Sequence, residues 1–474
     1  MSDIFRIDLR SLAILRIGMA MIIIWDVITR LPWVGPFYSD VSFFTRELAA
    51  VSNHPAAWSL FSISGSQEYA IALFVITIVA ALSLLVGFRS QLSAIICLVL
   101  VYSINVRMPL TTDGGHVLLR MLLFWSVFLP MGARWSLDAT IAGNRVGKVE
   151  SIANFSTAVI MVQFACMYFF AGIAKCNEDW WYGDAIHRSL SLEMYAWPFA
   201  QFVKDLPQVW LLNAGRLLVV AEIVLPLFMF VPKIYRVARP VAAITFCAMH
   251  VGIWLTLSIG VFAAISIISW VLFVPLPNRL KRNTQSQHQA PVRPTSYGKR
   301  KTLIATQLFC GFGIVYIIAL NVINLDIKRA SLFLPDALQS IAWVTMTAQE
   351  FQMFSRPPKF SPVLSILVED PTHAGAPLEY RNVVRSGEER VRPFPHPQNH
   401  LTRRLEYNLV HFYEIAPEQV ATLRNAWGAY LCDRVKSANA GYNQDANWKC
   451  SVVCQLKNIS GDASEDYQEL WYGR

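Results

Sequence analysis

The chain has 474 residues, of which 54% are apolar and only 15% charged, with a mean hydropathy of +0.39. A water-soluble chain carries about a quarter charged residues, so the composition excludes an ordinary soluble globular protein. The net charge of +9 requires no nucleic acid, because much of it falls in one loop, 278–301, where anionic lipid headgroups are the natural partner.

Apolar runs of spanning length, roughly 18 residues or more, recur along the sequence. Met1–Arg10 is polar and leads into a full-length span, so the first helix is expected to serve as a start-transfer segment and not as a cleaved signal. Nine spans are predicted, over 11–29, 69–87, 90–107, 115–132, 152–174, 206–231, 238–256, 258–277 and 302–324. Trp58–Ser64 is too short to cross and is expected in the membrane interface. Residues 283–298, rich in Gln, Ser and Pro, read as a polar linker. Beyond residue 324 the pattern changes: Phe360–Glu369 and Trp448–Lys457 gather β-formers, and Pro417–Lys436 has helical spacing. The predicted architecture is a membrane all-α bundle of about nine helices, residues 1–324, followed by a small outward-facing α+β domain, residues 325–474.

Basic residues set the orientation. With the N-terminus in the cytoplasm, the inner segments hold sixteen Lys and Arg and the outer loops six. An odd number of spans then sends the C-terminal region to the extracytoplasmic side, as in a bacterial inner membrane protein. Cys97, Cys166, Cys176, Cys247 and Cys310 lie in or beside spans and are expected to pack. Cys432, Cys450 and Cys454 fall in the outward tail, where a disulfide is available and its pairing open. There is no zinc pattern, P-loop or dinucleotide fingerprint, and no metal is expected.

Arg16, Asp26, Arg120, Arg216, Glu222 and His250 interrupt apolar runs. Unpaired, each costs several kcal/mol in hydrocarbon, so such residues face the bundle or a wet cavity. Arg120 and Glu222 are candidates to pair at mid-depth, and ion pairs that lock the bundle account for most of this set. A second set lies toward the outer side: His116 after Asp113-Gly-Gly at the start of span four, Lys175 at the end of span five, and His250 in the outward half of span seven. These three titratable groups from three helices are expected at one depth and form the candidate catalytic set. Lys175 alone admits a simpler reading, a snorkelling lysine beside the aromatic belt of Trp180, Trp181 and Tyr182.

The motifs around these residues resemble those of the HTTM (horizontally transferred transmembrane domain) family, related to vitamin K-dependent γ-carboxylase. Leu12-Ala-Ile-Leu-Arg16-Ile-Gly18 is similar to the family's opening helix. Asp113-Gly-Gly-His116, Phe128-Leu-Pro130 and Arg134-Trp-Ser-Leu-Asp138 follow in order. Phe170-Ala-Gly-Ile-Ala-Lys175, Asp179-Trp180 and Gly183 resemble the carboxylase segment, and His250, Ile259-Gly-Val-Phe262 and Phe273-Val-Pro275 its later pair of spans. Together they cover about residues 5–280. Weaker likenesses in the tail are Gln352-Met-Phe-Ser355 with Pro357, and Trp427-Gly-Ala-Tyr430-Leu-Cys432.

The resemblance implies a quinol-dependent, carboxylase-like lyase in which Lys175 is the base toward reduced vitamin K or menaquinol, with O2 and CO2 as co-substrates, and His116 supports it. Desolvation favours a neutral amine, and a neutral amine can act as a base. Membrane lipid and a peptide or protein substrate are the implied partners. Ala174 stands where the carboxylase has the first of two adjacent lysines, and the tail of about 150 residues is short for the carboxylase's lumenal region. The alternative is a non-catalytic HTTM protein acting in peptide or protein maturation, export or lipid binding. A transporter ranks last, because no matching halves are visible.

Overall fold

The computed structural model of the chain describes residues 3–41, 43–143, 150–274, 297–325, 336–348, 354–369, 378–381, 391–393, 400–411, 417–438, 449–460 and 467–473. Among these, seven helical stretches are long and apolar enough to cross a membrane: Leu9–Tyr38, Gln67–Val86, Ser90–Arg107, Phe155–Ala174, Gln208–Phe228, Tyr235–Thr256 and Ile304–Val322. In chain order the helices that build the bundle are α1 (Leu9–Arg30), α2 (Gln67–Val86), α3 (Ser90–Arg107), α4 (Gly114–Ser126), α5 (Phe155–Ala174), α6 (Gln208–Phe228), α7 (Tyr235–Thr256), α8 (Phe262–Ser269) and α9 (Tyr297–Leu325).

The fourth and eighth expected spans are the two that depart in length. At 1.5 Å per residue the 13 residues of α4 reach about 20 Å, short of a hydrocarbon core of about 30 Å. Pro130 and Gly132 follow closely and do not continue a helix. Helix α8 has 8 residues and passes into a 3-10 turn at Trp270–Leu272. The two short helices pack together, and their first turns touch. A Cβ on Gly115 would sit 2.5 Å from the backbone nitrogen of Phe262, so this approach requires glycine.

Short polar devices close both ends of the bundle. At one end β1 (Arg6–Asp8) pairs antiparallel with β2 (Ser151–Ala153). Arg16, fully buried on α1, donates to the carbonyls of Leu84 (2.6 Å), Leu85 (2.8 Å) and Trp135 (2.6 Å). The first two belong to the last turn of α2, where Leu84 O also accepts from Gly87 N at 3.1 Å. Gly87 caps α2 in the left-handed region, φ +70°, directly against the Arg16 guanidinium. At the other end Arg107 donates to Phe44 O (2.7 Å) and Ser39 O (3.1 Å). Leu60–Ser62 forms a 3-10 turn within the Trp58–Ser64 stretch, which docks on α3 through Ser59 Oγ to Ser103 O at 2.8 Å.

The C-terminal region holds helix α10 (Asp336–Val344), strands β3 (Phe360–Glu369), β4 (Leu378–Arg381) and β5 (Val391–Pro393), helices α11 (His400–His411) and α12 (Pro417–Ala438), and strands β6 (Lys449–Asn458) and β7 (Tyr467–Gly473). The sheet order is β5-β4-β3-β6-β7. Its centre is the ten-residue antiparallel pair from Phe360↔Asn458 to Glu369↔Lys449, and β4–β5 is parallel. On β6 buried residues alternate with partly exposed ones, as a sheet with one covered face requires. A Cys432–Cys450 disulfide joins α12 to β6, and Cys454 takes no part in it. This region lies against the same end of the bundle as Arg107. Asn408 donates to Leu110 O (2.8 Å), Tyr102 to Trp343 O (2.6 Å), and the fully buried Trp427 packs on Phe43 with ring centroids 4.9 Å apart. The predicted linker 283–298 and the cationic loop around it lie outside the described residues, apart from the first residues of α9.

The Arg16–Gly87 contact gives a test of the bundle. A Cβ at Gly87 would fall 2.4 Å from Arg16 Nη1. Arg16→Met and Gly87→Ala are each expected to lower stability by about 2–4 kcal/mol, through lost charge-assisted hydrogen bonds and left-handed backbone strain. Because both act through one clamp, thermal unfolding of the double variant should fall well short of the sum.

Candidate functional site

Lys175 is the C-cap of α5, and its burial follows from the glycine three residues before it. A Cβ on Gly172 would meet Glu222 Cβ at 2.9 Å and Ile223 Cγ1 at 2.8 Å, so its absence lets α5 and α6 close on each other. Glu222 then reaches Lys175 with both oxygens, at 2.9 and 3.1 Å from Nζ. The Lys175 side chain is 8% exposed and that of Glu222 5%. Nζ also lies 5.6 Å from the centre of the Trp180 ring and 3.4 Å from Ala171 O, where a cation complements the end of a helix. This geometry removes the snorkelling reading: the ammonium turns into the bundle. It also corrects the expected Arg120–Glu222 pair. Glu222 faces α5, whereas Arg120, on α4, donates to Ala348 O and lies over the Tyr102 ring.

His250, on α7, is fully buried. Its Nε2 is 2.8 Å from the hydroxyl of Tyr168, which also accepts the indole N–H of Trp270 at 3.2 Å. Nδ1 of His250 is buried with no hydrogen-bond partner. Tyr168 precedes Lys175 by seven residues, two turns along the same face of α5. Lys175–Glu222 and Tyr168–His250 therefore form neighbouring pairs, near enough for the lysine charge to act on His250.

His116 belongs to a different network. Asp113 caps α4, accepting from Gly115 N (2.8 Å) and His116 N (3.1 Å). The imidazole Nδ1 lies 2.9 Å from Asp113 Oδ1 and 3.2 Å from Asp113 N, with the tautomer deciding which it bonds. His116 Nε2 lies 3.1 Å from Asp26 Oδ1 and 2.8 Å from Arg30 Nη2, so the tautomer decides which it bonds. Arg30 Nε donates to Asp26 Oδ2 (2.8 Å), and Nη1 donates to Tyr38 Oη (2.6 Å) and Thr111 Oγ1 (3.0 Å). Every member of this network is buried. The three expected site residues thus do not share one hydrogen-bonded cluster. Phe262 stands between the two networks, with its ring 5.2 Å from that of His250 and its backbone against Gly115.

The segment 354–357 covers the Lys175 side. Trp180 Nε1 donates to Phe354 O (3.0 Å) and Ser355 O (3.1 Å), Asn177 to Ser355 O (2.9 Å), and Arg188 to Pro357 O (2.7 Å). Arg216, expected within a span, donates to Trp181 O at 2.8 Å. Beside Trp180 a shallow surface depression runs between Gly183–His187 and Gln208–Gly215 of α6, with room for about 10 Å³. No cluster of His, Cys, Asp or Glu suited to a metal ion occurs among the described residues.

Sequence reasoning missed Tyr168, Arg30 and Tyr38. The seven-residue spacing of Tyr168 to Lys175 and the four-residue spacing of Asp26 to Arg30 were available signals. Tyr38 had none, because only the turn after α1 brings it back to Arg30.

The HTTM domain model matches residues 5–277, which spans α1 to α8 and takes in His116, Lys175, Glu222 and His250. No curated protein and no solved structure matches the chain at a significant level. With more than half of its length in the match, the chain belongs to the HTTM family.

Proposed function

We propose that this polytopic HTTM protein is a quinol-dependent, carboxylase-like membrane enzyme in which Lys175 is the proton-accepting group. The observation that supports this reading is the burial of Lys175 against Glu222, beside a histidine nitrogen that has no partner. In the same reading α4 and α8, continued by their flanking turns, complete nine crossings. The N-terminus is then cytoplasmic, and the region after residue 324 is an extracytoplasmic domain on the outer face of a bacterial inner membrane.

The residues present fit a lipid-borne quinol. His250 Nδ1 is a buried polar atom in need of a partner, and the ring lies beside the aromatic rings of Tyr168 and Phe262. When bound, reduced vitamin K or menaquinol would supply an acidic hydroxyl and the reducing equivalents for a reaction with O2 and CO2 on a peptide or protein substrate. The chain's own residues would do the rest. Glu222 orients Nζ through both oxygens and lies 2.9 Å away to receive or return a proton. Trp270 fixes the Tyr168 hydroxyl, which fixes the His250 ring through Nε2 and leaves Nδ1 toward a ligand. Trp180 and the 354–357 segment keep water from Nζ, which strengthens every charge interaction at the site.

The second reading is a non-catalytic HTTM protein acting in peptide or protein maturation, export or lipid binding. It is favoured by one observation: both Lys175 and His116 are fully engaged by protein groups, as bundle-locking residues would be.

Full-length protein in nanodiscs, supplied with reduced menaquinone, O2, labelled CO2 and candidate peptides, separates the two. The enzyme reading expects oxidised quinone and incorporated label, reduced at least about 100-fold by Lys175→Ala, the scale of a lost general base. Wild-type protein that yields neither product replaces it with the second reading. Stability gives an independent check on the pair. Glu222→Leu alone is expected to cost about 3–5 kcal/mol by stranding the lysine, while Lys175→Met with Glu222→Leu returns to within about 1.5 kcal/mol of wild type.

A further inference from the structure

Helix α11 brings His400, Arg404 and Asn408 onto one face, four residues apart, and lays that face over the start of α4. Asn408 donates to Leu110 O at 2.8 Å, just ahead of Asp113, and the charge of Arg404 acts on Asp113. The His400 ring is held by two contacts that use neither of its nitrogens. One flat side stacks on Trp25 of α1, with centroids 5.2 Å apart and planes 15° apart. Its edge rests on Gly260, where a Cβ would come within 3.0 Å of His400 Cδ2 and 2.6 Å of Asp113 Oδ2. Gly260 has φ +69°, so both conformation and space demand glycine there. His400 Nε2 is buried and has no hydrogen-bond partner.

An imidazole oriented by stacking and a glycine cradle, with a nitrogen left over, is arranged for a ligand, since a buried polar atom without a partner costs roughly 1–3 kcal/mol. Burial holds this imidazole down to about 4, against the pull of Asp26 and Asp113, so at neutral pH the ring is uncharged and a hydrogen-bond acceptor. Trp25 is 45% exposed on α1, a helix long and apolar enough to span, so one face of the stack borders lipid.

We propose that His400 and Trp25 form a second ligand site, shared between the C-terminal region and the membrane helices, for an apolar molecule that bears a hydroxyl and arrives from the lipid. The hydroxyl donates to His400 Nε2, and Trp25 offers the apolar wall. The site lies outside the residues of the matched domain on its α11 side and does not rest on the role given to Lys175.

The test uses full-length protein in phosphatidylcholine nanodiscs, with 1-naphthol as the hydroxyl probe and 1-methoxynaphthalene as its match without a donor. Calorimetry against empty nanodiscs should show saturable 1-naphthol binding at least tenfold tighter than that of the methoxy compound. His400→Ala should weaken 1-naphthol at least tenfold and leave the methoxy compound unchanged. Equal affinity for the two probes in wild-type protein would overturn the proposal without reference to any variant. So would the absence of saturable binding, the result expected if only water satisfies Nε2, or an unaltered 1-naphthol affinity in His400→Ala.

Discussion

A buried charge in a lipid-embedded bundle has no water to turn to, and the way each one is met by protein shapes this structure. Arg16 takes carbonyls from the end of α2 and from Trp135, and so ties three segments at one end. Arg107 does the same for the turns after α1. Arg30 and Asp26 close on His116, and Lys175 closes on Glu222. Each of these groups fixes the position of backbone that hydrophobic packing alone would leave free to slide.

The same constraint explains the two short helices. A bundle of full-length spans would bring only side chains to the polar region at the Arg107 end. Ending α3 at Arg107 and starting α4 at Asp113, with α8 starting opposite after Gly260, brings two helix N-termini and a run of backbone donors to that level. Irregular backbone at this depth needs cover, and the C-terminal region supplies it through Asn408, Trp343 and the segment 354–357. The sheet and its two helices therefore complete the site region as well as extend the chain. The Cys432–Cys450 bond fastens α12, whose Trp427 sits on Phe43 of the loop after α1, to the central strand pair.

Much of this was legible in the sequence. Seven of the nine expected spans correspond to helices of spanning length, because a long apolar run has few alternatives in lipid. Phe360–Glu369 and the segment ending at Lys457 are the central strands, as their β-forming residues indicated. The lengths of α4 and α8 were not legible, since hydropathy does not register where Pro130 and Gly260 break a helix inside an apolar run. Nor was the partner of Glu222. Depth alone allowed Arg120, and only the close approach at Gly172 decides for Lys175. The disulfide pairing was open because it depends on α12 lying beside β6. His400 carried no local signal, because its meaning comes from Trp25 and Gly260, far away along the chain.

The account turns on whether Lys175 is gripped inside the bundle or lies free at the lipid boundary, and amine labelling decides this directly. Folded, full-length protein in nanodiscs is treated with a water-soluble acetylating ester, and modification of Lys175 is followed by mass spectrometry against Lys204, which is more exposed. The geometry predicts that Lys175 is acetylated at least about tenfold more slowly than Lys204, and that Glu222→Leu narrows the gap, as release of a lysine from a buried partner requires. Acetylation of Lys175 as fast as Lys204 in the unaltered protein would contradict it, and would return this residue to the role of a surface lysine in an aromatic belt.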